Sequence, residues 1–257
     1  MREVPARKRR ATADRDLIGR TTQLHELTRR LARNRFITLT GPGGVGKTTL
    51  AKAVMKAVHA DFPDGVWFVE LAAARDPASV GDAIMAALSI KGVLDDHPAH
   101  DFLARLQNKR ALLVLDNCEQ LVPFVSQFAE TLLAGATGLS ILATSRQPLS
   151  CTGEQVCSVL PLPVPDLAVD TVQQARRRPA FQLFVDRIKA LDPTITVEDD
   201  QVPVVARICR SPRWHAPGSR NRRRLGWTAW PRDARGGAER GTAGVGRRAP
   251  HRTDASP

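Results

Sequence analysis

Four short stretches of the chain are almost wholly apolar or β-branched: Phe36-Ile37-Thr38-Leu39-Thr40, Val66-Trp67-Phe68-Val69-Glu70-Leu71, Ala111-Leu112-Leu113-Val114-Leu115-Asp116 and Leu139-Ser140-Ile141-Leu142-Ala143-Thr144. Runs of this length and composition predict strands buried on both faces, as in a parallel sheet covered by helices. Val156 to Leu160 gives a shorter fifth strand. Helical patterns lie between them. Leu24, Leu27 and Leu31 share one face of a first helix, which Thr21 or Thr22 can cap. Thr49 to Val58, Pro77 to Ser89, Pro98 to Gln107 and Gln120 to Ala134 read as further helices. After the sheet, Pro161-Leu162-Pro163-Val164-Pro165 is an extended, stiff connector. Ala180 to Ile188 and Pro203 to Cys209 then begin a small helical domain.

Between the first strand and its helix stands Gly41-Pro42-Gly43-Gly44-Val45-Gly46-Lys47-Thr48, which satisfies G-x-x-x-x-G-K-S/T at every fixed position. Strand, glycine loop and helix together mark a phosphate site. Glycines let the backbone curl so that successive N–H groups converge on an anion. The helix that starts at Lys47 adds the positive end of its dipole. Lys47 supplies a mobile charge for the β- and γ-phosphates. The Thr48 hydroxyl can ligate Mg²⁺, and Thr49 can add a donor. The bland alternative is a glycine-rich turn that binds nothing. The expected fold is an α/β three-layer sandwich of the P-loop NTPase type, with a central parallel sheet.

Asp116 closes its strand where open α/β sheets place their ligands. It is expected on the Mg²⁺ side of the phosphates, with a helix cap as the alternative. Asn117 follows it, where many ATPases carry a base. Glu119 is the nearest other carboxylate, and it reads as an N-terminal helix residue rather than a base. That combination predicts slow hydrolysis. Thr144-Ser145-Arg146 ends the next strand. There Arg146 would offer a planar, permanently charged fork to a γ-phosphate, unless it is a surface loop residue.

The formal charge of +12 changes this picture little once it is located. Residues 1–15 carry six Lys/Arg against two Asp/Glu, and residues 211–257 carry eleven Arg against three. Residues 16–210 balance at 21 of each. The basic lead-in is read as disordered, with a nucleic-acid arm as the alternative. Cys118, Cys151, Cys157 and Cys209 show no metal or redox spacing. No apolar run reaches the ~18 residues of a membrane span, and the N-terminus lacks the apolar core of a secretory signal. A cytoplasmic protein with reduced thiols is expected.

The pieces occur in an order that resembles the signal-transduction NTPases of the AP-ATPase (NB-ARC-like) class. The likeness is to the nucleotide-binding domains of LuxR-type and AfsR-like bacterial transcriptional regulators. It rests on Ile18-Gly19-Arg20, Gly41 to Thr49, Asp61 to Val69, Leu113 to Glu119, Ile141 to Leu149 and Phe181 to Arg187, and covers roughly residues 16–210. The resemblance implies that Gly19 and Arg20 lie against the nucleotide base. It implies that Lys47, Thr48 and Asp116 hold Mg-ATP and that Arg146 senses the γ-phosphate. Gly41, Gly43, Gly44, Val45, Gly46 and Thr49 complete the nucleotide contacts. It also places the strand ending at Thr144 between the phosphate-loop strand and the strand ending at Asp116. The implied function is an ATP/ADP switch, in which ATP favours an open, self-associating state. The alternatives are a stand-alone ATPase and a DNA-binding protein acting through its basic ends.

The domains expected are 1–15, a basic lead-in; 16–163, nucleotide-binding; 164–210, partial helical; and 211–257, a disordered tail. After Arg210 the resemblance stops. Relatives continue with Arg-Leu-Asp-Gly-x-Pro-Leu-Ala, whereas this chain becomes rich in Arg, Gly, Pro and Ala. One permitted set of codons for Ser211 to Arg224, read one base later, encodes Arg-Leu-Asp-Gly-Thr-Pro-Leu-Ala-Leu-Glu-Ile-Ala-Ala-Ala. The tail is therefore expected to be an out-of-frame continuation of a truncated regulator that lacks its DNA-binding and effector regions. Val204, Val205 and Ile208 would then lack apolar partners. Sequencing the genomic DNA across codons 205–260 checks this. The shifted frame should open with the missing segment and run on; an early stop would make the Arg-rich tail genuine.

Overall fold

The computed structural model describes residues 17–88, 98–166 and 171–210. The basic lead-in, the tail from residue 211 and the expected end of the third helix at Ser89 lie outside them. Five strands form one parallel sheet: β1 (Phe36–Thr40), β2 (Gly65–Glu70), β3 (Ala111–Asp116), β4 (Leu139–Ser145) and β5 (Gln155–Ser158). Their order is β2-β3-β4-β1-β5, so β4 lies between β1 and β3 as the resemblance implied. Around the sheet run α1 (Thr21–Leu31), α2 (Lys47–Ala57), α3 (Pro77–Ala87), α4 (Pro98–Leu106) and α5 (Val122–Gly135).

The apolar strand runs follow from a period of two with both faces covered. Phe36, Leu113, Leu115, Ile141 and Ala143 enter one apolar cluster with side chains of α3, α4 and α5. Ile37, Leu39, Leu112, Val114 and Leu142 enter another with α1 and α2. Neighbouring residues of one strand thus serve opposite layers, and neither face has room for a charged side chain. This is an α/β P-loop NTPase fold.

Beyond the sheet come α6 (Val172–Ala175), α7 (Pro179–Leu191) and α8 (Val202–Arg210). They share a third cluster, which includes Leu162, Phe181, Phe184, Ile188, Val202 and Val205. The expected lack of partners does not hold for Val205, which is fully buried there.

Several boundaries shift for identifiable reasons. Neither Thr21 nor Thr22 caps α1; Arg20 occupies the cap position and makes no side-chain capping bond. The helix expected from Gln120 starts at Val122, because Cys118–Gln120 forms a single 3₁₀ turn. Pro123 then sits in the first turn of α5, where a missing N–H costs nothing. The last strand starts one residue early, at Gln155, and stops at Ser158. The Val159 N–H still donates to Thr40 O at 2.7 Å, extending the pairing by one bond.

Gly19 joins the N-terminal segment to the helical cluster. Its φ is +70°, and an added Cβ would stand 2.4 Å from Cβ of Pro179, at the start of α7. Gly19→Ala combines a left-handed backbone with that collision. It is expected to destabilise the fold by ~1–3 kcal/mol, read as a lower urea midpoint.

Candidate functional site

The site lies at the carboxyl ends of β1, β3 and β4. Gly41 leaves β1 at φ +150°, and a Cβ there would meet Val159 O at 2.6 Å. Only glycine lets the loop pass so close to the residue following β5. The loop ends at Gly46, the N-cap of α2. Lys47 is buried and folds back, with Nζ donating to Gly41 O at 2.8 Å and Pro42 O at 3.1 Å. Burial holds its pKa below the ordinary lysine value; Glu119 and Asp116 oppose that shift, and Arg146 adds to it. The ammonium is thus stored on loop carbonyls within the electrostatic reach of two carboxylates and an arginine.

Asp116 is almost completely buried at the tip of β3. The Thr48 hydroxyl is 2.9 and 3.0 Å from its two oxygens, and the Thr144 hydroxyl donates to Oδ1 at 2.5 Å. The Asn117 N–H donates to that same Thr144 hydroxyl at 3.1 Å. A buried carboxylate needs such partners, and these come from α2 and β4. Thr144 was expected only as part of a phosphate-sensing end of β4; its hydroxyl is instead turned to Asp116. Hydrogen bonds across 28 residues leave no local pattern to read.

Arg146 stands just beyond β4 with most of its side chain exposed, and Nε donates to Glu119 Oε1 at 3.0 Å. A Cβ on Gly43 would lie 3.7 Å from its Nη2. The guanidinium therefore overhangs the phosphate loop. Glu119 belongs to the Cys118–Gln120 turn rather than to the following helix, and it faces the site. Reading it as an ordinary helix residue missed this.

On the other flank, Arg20 is buried and props the loop. Its Nη2 donates to Val45 O at 2.9 Å and its Nη1 to Gln23 Oε1 at 2.6 Å. A cavity of about 420 Å³ opens beside it, lined by Leu17, Ile18, Arg20, Gly44, Val45, Gly46 and Thr49. Its far wall is Leu162 with Leu183, Asp186, Arg187, Lys189 and Ala190 of α7. Gly19 is not in that lining; it packs on Pro179. The α7 wall was not foreseen, although Asp186 and Arg187 lie in a stretch that carried the resemblance. Among the described residues no cluster of three or more His, Cys, Asp or Glu could hold a metal ion, and no helix is long and apolar enough to cross a membrane. All four cysteines are free thiols. Burial pushes Cys209 up to about 12 and raises Cys118 further.

The chain matches the NB-ARC domain over residues 20–160, more than half its length. It is 36% identical over 185 residues to a Mycobacterium tuberculosis protein named as an HTH-type transcriptional regulator, covering 70% of this chain and 19% of that protein. A second, uncharacterised M. tuberculosis protein is 32% identical over 194 residues, covering 75% and 46%. The regulatory protein AfsR of Streptomyces griseus is 34% identical over 145 residues, covering 51% and 14%. The match thus spans about a fifth of the first relative and under half of the second. Among solved structures, a signal-transduction ATPase with numerous domains from Pyrococcus horikoshii aligns with a TM-score of 0.44 and 13% identity, over 77% of this chain and 29% of that one.

Thr144→Val tests the Asp116 cluster. It keeps the shape but leaves a buried carboxylate oxygen and the Asn117 N–H with one partner fewer. A loss of about 1–3 kcal/mol is expected, measured by urea unfolding.

Proposed function

The chain belongs to the NB-ARC domain family, and from that premise we propose that residues 16–210 are the ATP/ADP-binding switch of a bacterial transcriptional regulator, hydrolysing ATP slowly at most. The observation that carries this reading is the convergence of Lys47, Thr48, Asp116 and Arg146 on one mouth of the sheet, beside a cavity of about 420 Å³. The mouth has the chemistry of a polyphosphate site. The cavity has apolar walls for a base and polar groups for a sugar.

The roles follow from the geometry. Gly41, Gly43, Gly44, Val45 and Gly46 would wrap the phosphates with backbone N–H groups, and Thr49 would add a hydroxyl. Lys47 would exchange its two carbonyl partners for β- and γ-phosphate oxygens, a stronger charge-assisted pairing. Thr48 and Asp116 fit Mg²⁺. Both offer hard oxygen donors, and they already stand within 3.0 Å of each other. When bound, the ion would neutralise charge between the β- and γ-phosphates. Arg146 would read the third phosphate. Arg20 would shape the base end of the cavity through Val45, and Gly19 would fix the approach of α7. Asn117 in place of a second acid supports slow turnover.

We assign residues 16–163 to the nucleotide-binding domain and 164–210 to a helical domain that supplies most of the cavity's far wall. A ligand gripped by both would couple nucleotide state to their arrangement, a population shift set by differential affinity. Self-association in the ATP state and a cytoplasmic location complete the proposal. The charge balance of residues 16–210 leaves DNA recognition to other segments of such regulators.

Lys47→Ala removes the mobile charge. ATP affinity is expected to fall on the order of a hundredfold, measured by isothermal titration on the full chain. Unchanged affinity would overturn the site assignment.

A further inference from the structure

One ion pair crosses the mouth of the site. Arg146 Nε donates to Glu119 Oε1 at 3.0 Å, and the two partners differ sharply in exposure: 68% for the Arg146 side chain against 17% for Glu119. Oε2 of Glu119 is buried without a hydrogen-bond partner among the described residues. That is an unfavourable position for a carboxylate oxygen. The backbone imposes it. Asn117 adopts a left-handed φ of 64° directly after Asp116 and is pinned by its N–H to Thr144. This turns Cys118–Gln120 back toward the end of β4. Glu119 is thereby held within electrostatic reach of Lys47, whose charge it favours, while Arg146 disfavours it.

We propose that Glu119 is a specificity-determining residue of the nucleotide site: it holds Arg146 until a third phosphate competes for the same guanidinium. The proposal rests on the nucleotide-switch reading above. ADP fills the loop without reaching Arg146 and leaves the pair intact. ATP must take Arg146 from Glu119 and tolerate a nearby carboxylate, so its γ-phosphate gains less than an unopposed arginine would give. A ligand shifts an equilibrium only by its differential affinity, and Glu119 sets that difference. It biases the site toward ADP and confines the ATP-bound state to conditions where ATP is in excess. An arginine suits the exchange, because its planar, permanently charged group pairs with a carboxylate or a phosphate oxygen alike.

The test is equilibrium binding of Mg-AMP-PNP, which is not hydrolysed, and of Mg-ADP to the full chain by titration calorimetry. Glu119→Gln is expected to raise AMP-PNP affinity roughly two- to fivefold, the scale of a pair with one mostly exposed partner, and to leave ADP affinity unchanged. Arg146→Ala should weaken AMP-PNP alone. In the Arg146→Ala background, Glu119→Gln should have no further effect. Equal shifts for both nucleotides would overturn the proposal. So would a Glu119→Gln gain that persists without Arg146, which would mean simple charge repulsion. Arg146→Ala replaces an exposed side chain and keeps the test decisive if Glu119→Gln fails to fold: an equal loss for ADP and AMP-PNP refutes the exchange. Wild-type chain that binds neither nucleotide refutes the switch reading itself, whereas wild-type binding with no change in the ratio refutes only the role of Glu119.

Discussion

The buried carboxylate of Asp116 is the constraint on which the site depends. A charge with 2% of its residue surface exposed survives only if its oxygens are bonded from several directions. Here Thr48 supplies one hydroxyl from the first turn of α2, and Thr144 supplies another from β4. The two bonds tie the phosphate-loop helix, β3 and β4 into one unit. Asn117 extends the tie by binding Thr144. A change in what Asp116 holds must therefore be felt at the start of α2 and at the end of β4 together. Arg146 stands two residues beyond Thr144, so a local event at Asp116 has only a short path to it.

The sheet order makes that junction possible. Because β4 runs between β1 and β3, the phosphate loop after β1 and the acid at the end of β3 lie two strands apart, with β4's own end between them. Thr144 is the residue that fills this gap. Both faces of the central strands are sealed by apolar clusters, so charged groups can collect only at the strand ends. The same physics that gives continuous apolar runs thus drives the chemistry to one edge of the sheet.

Much of this was legible in the sequence, for a definite reason. Strand runs and the glycine loop are local patterns, and they lie where the alternation of burial and the phosphate-binding spacing require. What escaped was contact between distant segments. The bonds from Thr144 to Asp116, from Arg146 to Glu119 and from Arg20 to Val45 span 28, 27 and 25 residues. None has a spacing rule. Glu119 was misread because its position depends on a left-handed Asn117, a conformation that a residue's identity permits without dictating. Val205 was misjudged for a related reason: its partners on α7 lie some twenty residues upstream, and they suffice to bury it.

The cavity beside the loop connects these features. One wall is the phosphate loop, held in place by Arg20, and the opposite wall is α7. Gly19 fixes their relation, since it packs against Pro179 where any side chain would intrude. The two walls therefore meet at a joint one residue from the arginine that supports the loop. A ligand that filled the cavity would push on both sides of that joint. The phosphate end, through Asp116 and Arg146, would register how many phosphates it carried. Count and closure would then be read by the same few elements. On the proposed reading, that economy would let a domain with a neutral, tightly packed body act as a switch: its two states would differ only in the partners of a handful of charged side chains and in the seat of α7 on Gly19.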